Sequence, residues 1–171
     1  MLHTLVILVE DKPGVLNRIA SLFRRRAYNI ESLTVGHTDI NGLSRMTITV
    51  EGSKEHAERL TAYLYRLVNV IQVEDLSDRK MVSRDLALIK VSTQTEKRTE
   101  IFQMVEVFRA KVVDVTPESL IIEITGTAEK INGFIDVMKP LGIIEMVRTG
   151  AVAMERGSDS LLNLAESGMG K

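Results

Sequence analysis

Asp11-Lys12-Pro13-Gly14-Val15 joins an apolar run, Leu5 to Val9, to a stretch of helical periodicity. Pro13 presets the first turn of a helix, and Gly14 removes the side chain that would shield the free backbone N–H groups there. Such a tip attracts a carboxylate, because unpaired N–H groups and the helix dipole both favour an anion. The same residues also suit an ordinary strand-to-helix turn, so spacing alone leaves both readings open. Asn29, where the next strand should begin, is the second candidate. Its amide can accept from an ammonium and donate to a carboxylate, as amino-acid recognition requires, or simply serve as a turn residue.

The other chemistry-bearing residues are sparse. His3, His37 and His56 are scattered without a second ligand at metal-binding spacing, and read as surface or strand-end residues. Arg24-Arg25-Arg26 fits cations at a helix C-terminus on a solvated face, or a weak docking patch. Neither GxGxxG nor GxxxxGK follows a strand, and there is no serine-centred nucleophile motif. There is no cysteine, which removes disulfides and thiolate chemistry. Aromatic residues are 4% of the 171, too few for base-stacking platforms, and the net charge of -1 gives no general attraction to nucleic acid or acidic membrane. No metal, cofactor or catalytic group of its own is expected. The apolar runs are strand-sized and no leader is recognisable, so a cytoplasmic protein is expected.

Periodicity places these residues on elements. Val15, Ile19 and Leu22, with Leu16, Ala20 and Phe23, form one helical stripe after Gly14, and Tyr28 to Thr38 reads as a strand. Asn41-Gly42 marks a hairpin, and Met46, Ile48 and Val50 alternate with polar residues. Ser53 can cap a helix carrying Ala57, Leu60, Leu64 and Leu67, and Val68 to Glu74 closes the unit. The order is βαββαβ, the ferredoxin-like plan. After the polar break Ser77-Asp78-Arg79-Lys80 the grammar repeats: strand Leu86 to Val91, helix Glu96 to Ala110, strands Lys111 to Val115 and Leu120 to Thr125, a helix capped by Thr127 and ended by Pro140 and Gly142, and strand Ile143 to Thr149. The expected organisation is α+β, two ferredoxin-like domains in tandem: residues 1–76, a linker at 77–84, residues 85–157, and a polar tail at 158–171.

DKPGVLNRI, YNIESLTVG and LSRMTI, continued by RDLALIKV, KVVDV, SLIIEITG and IEMVRTGAVAMERG, resemble the acetolactate synthase regulatory (small) subunit. Its first half is an ACT domain. DxPG marks ACT domains of many kinds, whereas YNIESLTV with LSRMTI, RDLALIKV and RTG is specific to this subunit. The resemblance implies a subunit that does not catalyse alone. Its partner would be the large subunit carrying thiamine diphosphate, Mg and FAD, which condenses two 2-oxoacids; the small subunit would activate it and confer feedback inhibition by valine. The implied effector site uses Gly14, Val15 and Leu16 with Asn29 and Ile30, at the interface of a homodimer of ACT domains. Some relatives carry Asn where this chain has Asp11, which could pair with the ligand ammonium or repel its carboxylate. A free-standing amino-acid sensor acting on another partner is the alternative. In a βαββαβ sheet, Gly14 and Asn29 of one chain should lie at opposite ends, so each site should be shared between protomers.

Overall fold

A computed structural model describes residues 1–93, 97–158 and 161. The chain divides into two compact units, residues 1–82 with the described residues from Gly150 onward, and residues 83–149. The first unit contains β1 (Leu2–Glu10), α1 (Val15–Arg25), β2 (Ile30–His37), β3 (Leu43–Glu51), α2 (Lys54–Leu64) and β4 (Val70–Asp75). Its sheet runs β2-β3-β1-β4 with antiparallel neighbours. Leu5, Ile7 and Val9 of β1 and Met46, Ile48 and Val50 of β3 share a core with Ile19 and Phe23 of α1 and Leu60 and Leu64 of α2. These helices form because their apolar residues recur at three- and four-residue steps and bury one stripe on the sheet. Ser53 caps α2 by accepting from the His56 N–H.

The second unit repeats the plan with most of β5 (Met81–Ser92), α3 (Arg98–Val107), β6 (Lys111–Val115), β7 (Ser119–Gly126), α4 (Ala128–Gly142) and β8 (Ile143–Arg148), in strand order β6-β7-β5-β8. Ala87, Ile89, Val91, Ile122 and Ile124 pack under Ile101, Phe134 and Met138. Pro140 does not end α4, which continues to Gly142, whose φ of +95° closes the turn. The duplication extends to detail. After both first helices the chain turns through a left-handed non-glycine residue, Ala27 (φ +56°) and Arg109 (φ +52°). In each the following N–H reaches back five residues, Tyr28 to Phe23 O at 3.0 Å and Ala110 to Val105 O at 2.8 Å.

Three expectations need correction. First, the segment 77–84 is not wholly a linker, because β5 already begins at Met81. Second, the second unit ends at Thr149 rather than 157. Residues 150–156, including β9 (Val152–Glu155), return to the first unit: Arg45 Nη2 donates to Ala153 O at 2.6 Å and the Arg156 N–H to Lys80 O at 2.8 Å. Ala153 and Leu161 pack with Val6, Leu8 and Leu76, on the sheet face away from α1 and α2. Gly150 is required there, since a Cβ would sit 3.0 Å from the Leu33 backbone and 2.7 Å from Thr34 Oγ1. The rest of the 158–171 tail, apart from Ser158 and Leu161, lies outside the described residues. Third, of the two readings of His3 only the strand-end one holds, since it stands at the start of β1 but is buried. It is 3% exposed, with Nδ1 2.9 Å from Asp75 Oδ2.

Candidate functional site

Gly14 occupies the N-cap of α1 in the left-handed conformation (φ +86°, ψ −6°) and offers no side-chain cap. No acidic residue lies in the first turn. The Val15 N–H reaches Lys12 O at 3.3 Å and the Arg18 N–H reaches Gly14 O at 3.0 Å. Among the described residues nothing accepts from the N–H groups of Leu16 and Asn17. A helix start leaves such donors unpaired unless a side chain, water or ligand meets them. The Val15 side chain is buried in the core, so Val15 can offer a ligand only its backbone, whereas Leu16 is 43% exposed.

The surroundings of this tip are charged but internally paired. Asp11 Oδ2 lies 3.2 Å from Nδ1 of His37, the last residue of β2. Lys12 Nζ pairs with Glu10 Oε2 at 2.8 Å, and Asn69 bridges the same carboxylate to Arg18, with contacts of 2.7 and 2.6 Å. Hydrogen bonds from Lys12 first and Asn69 second hold the Glu10 carboxyl below its ordinary range. Asp11 therefore sits beside the strand-end His37 in an exposed pair, a neighbour that the sequence did not reveal.

Asn29 and Ile30 stand elsewhere. Ile30 pairs with Val50 at the end of the sheet that holds Leu2 and Glu51, whereas His37 pairs with Ser44 at the end that holds Glu10. β2 has eight residues, so the two half-sites are separated by roughly 25 Å of strand within one chain. Asn29 is exposed and lines an open cleft of about 1140 Å³ with Tyr28, Glu31 and His56. Its Nδ2 donates to Glu31 Oε1 at 2.5 Å. Sequence reasoning overlooked Glu31; its place two residues after Asn29, on the same strand end, was the available signal.

β2 is an edge strand, and no backbone hydrogen bond reaches its outer side among the described residues. An open edge is a template for pairing with another strand. Among the described residues there is no cluster of three metal-ligating side chains, and no helix is long and apolar enough to cross a membrane. Of the arginines expected to be solvated, Arg26 lies with its guanidinium 4.0 Å from the centre of the Tyr63 ring.

Comparison with known proteins agrees with this architecture along nearly the whole chain. Residues 5–72 match the model of the AHAS small subunit-like ACT domain, and residues 84–157 that of the small subunit of acetolactate synthase. The acetolactate synthase small subunit of Mycolicibacterium smegmatis is 50% identical over 155 residues, 91% of each chain. That of Bacillus subtilis is 45% identical over 160 residues, 92% of each. The crystal structure of the acetolactate synthase small subunit from Thermotoga maritima superimposes with a TM-score of 0.85 at 42% identity, covering 93% of this chain and 99% of that one. Two adjoining family models, these identities and the shared tandem βαββαβ fold place the chain in the acetolactate synthase small-subunit family.

Proposed function

We propose that this protein is the regulatory subunit of an acetolactate synthase, which raises the activity of a thiamine-diphosphate-dependent large subunit and transmits feedback inhibition by valine. The observation that carries this reading is the α1 tip: a left-handed glycine, no capping side chain, no acid in the first turn, and N–H groups at Leu16 and Asn17 without acceptors. An amino-acid carboxylate fits that tip. Its ammonium needs acceptors, and Asn29 lies too far away in the same chain to supply them. Two copies pairing antiparallel through their β2 edges, about a two-fold axis near Leu33 and Thr34, would set Asn29 of one against the Gly14 end of the other. Each dimer would then hold two equivalent sites, completed by Val15, Leu16 and Ile30. Valine inhibits in such an assembly only by binding its two functional states unequally, a coupling typically of about 1–3 kcal/mol.

The test mixes the chain with the large subunit and assays acetolactate with and without valine. Stimulation that valine reverses is the expected result. Gly14→Asp puts an anion where the ligand carboxylate sits, and should abolish valine sensitivity while stimulation survives. Gly14→Ala carries the same backbone penalty without charge, into space that is open, and should retain partial sensitivity. Valine binding without any stimulation would instead favour a sensor acting on another partner.

A further inference from the structure

We infer that Glu31 is the counter-ion of the effector ammonium and that Asn29 holds it in position; this rests on the shared amino-acid site proposed above. Asn29 Nδ2 is engaged by Glu31 Oε1, which leaves the amide carbonyl oxygen, met by no donor among the described residues, as an acceptor. The amide, chemically able to serve either end of an amino acid, is thereby committed to the ammonium end.

An ammonium leaving water requires both acceptors and compensating negative charge. The two half-sites contain other candidate groups, each paired, uncharged or not bonded to Asn29. Asp11 is paired with His37 and Glu10 with Lys12, while the Asn29 oxygen carries no charge. Glu51 also lines the Asn29 cleft without an ion pair among the described residues, but unlike Glu31 it makes no hydrogen bond to Asn29. Glu31 is exposed, makes no ion pair among the described residues, and accepts only from a neutral amide. The lysine and arginine side chains lining its cleft are held elsewhere: Lys54 by Asp78 at 3.0 Å, Arg59 by the Glu55 carbonyl at 3.2 Å, and Arg26 over Tyr63. Glu31 is therefore a pre-oriented carboxylate beside a pre-oriented carbonyl, an acceptor pair for one –NH₃⁺ group.

Calorimetry on the full chain with valine, valinamide (ammonium, no carboxylate) and isovalerate (carboxylate, no ammonium) tests the assignment. Glu31→Gln should weaken valine and valinamide at least tenfold and leave isovalerate within twofold. Gly14→Asp should do the reverse, weakening valine and isovalerate but sparing valinamide. Glu31→Asp, with the charge on a shorter arm, should recover part of the loss, and it replaces the Gln variant should that one fail to fold. Equal losses for all three ligands in Glu31→Gln, or none, would overturn the role of Glu31 while leaving the Gly14 site standing. Failure of the unaltered protein to bind any of the three would remove the shared site itself.

Discussion

At the third position of its first helix the second unit carries Glu100, where the first unit carries Asn17. α1 and α3 hold the same place in two copies of one topology, and both lack a side-chain cap. Only α3 supplies its own acid to the positive end of the helix. α2 and α4 are likewise provided for, with Ser53 and Thr127 as caps and Glu55 and Glu129 in their first turns. The second unit also closes one end of its sheet internally. Arg148 donates to Asp85 Oδ2 through Nε at 2.9 Å and Nη2 at 2.5 Å, and to Asn132 Oδ1 at 2.8 Å. The first unit leaves the α1 tip and the β2 edge open, and takes the cover for part of its second sheet face from residues 150–156. Both copies keep an open edge strand, β2 and β6, but only the second supplies an acid to the tip of its first helix.

That contrast can be broken at several points. Asp85→Ala should cost the second unit about 2–3 kcal/mol, because Asp85 is 8% exposed and its loss strands a guanidinium that is itself 26% exposed. Hydrogen exchange resolved by unit should show the loss in 83–149, since a single melting temperature is ill-defined for a two-unit chain. Gly150→Ala, forcing a methyl against the Leu33 backbone, should cost the first unit about 1–3 kcal/mol in the same measurement. Asn17→Glu gives α1 the acid that α3 has. Valine affinity should fall about tenfold by calorimetry, close to 1.4 kcal/mol, while the melting profile stays unchanged or rises. The reciprocal Glu100→Asn should leave valine binding untouched and cost only about 0.5 kcal/mol.

A pH experiment sharpens the same difference. Burial would raise the Asp75 carboxyl, but hydrogen bonds from the Ser77 side chain and N–H, together with His3, outweigh it and hold the group below 3.8. A carboxyl lowered in the folded state contributes stability that is present above 3.8 and is lost as pH falls through the native value. Protection in the first unit should therefore drop in that acid range, and Asp75→Asn should flatten the drop.

Much of this was legible in local pattern. The βαββαβ order and the caps at Ser53 and Thr127 are written in spacings of two to four residues and formed as expected; so did most of the stripes of α1 and α2, although Leu16 and Ala20 are exposed and Leu67 lies beyond α2. The bare tip at Gly14 was visible for the same reason. What escaped depends on partners far apart in sequence. His3 reads as a surface residue as readily as a strand end until Asp75, 72 residues away, comes beside it. The pairing of Asp11 with His37 follows from strand register, and the return of β9 to the first unit from contacts such as Arg45 with Ala153. A short alternating run like Val152 to Glu155 does not announce which unit it packs with.

The return of the last strand makes the first unit discontinuous in the polypeptide, with the second unit inserted within it. A nascent chain would finish its second half before its first, holding Val6 and Leu8 unsheltered until residue 153 has emerged. Excising residues 1–76 to study the first unit alone would leave that apolar strip bare and sticky, so an aggregating fragment would testify to missing sequence rather than to an unstable domain.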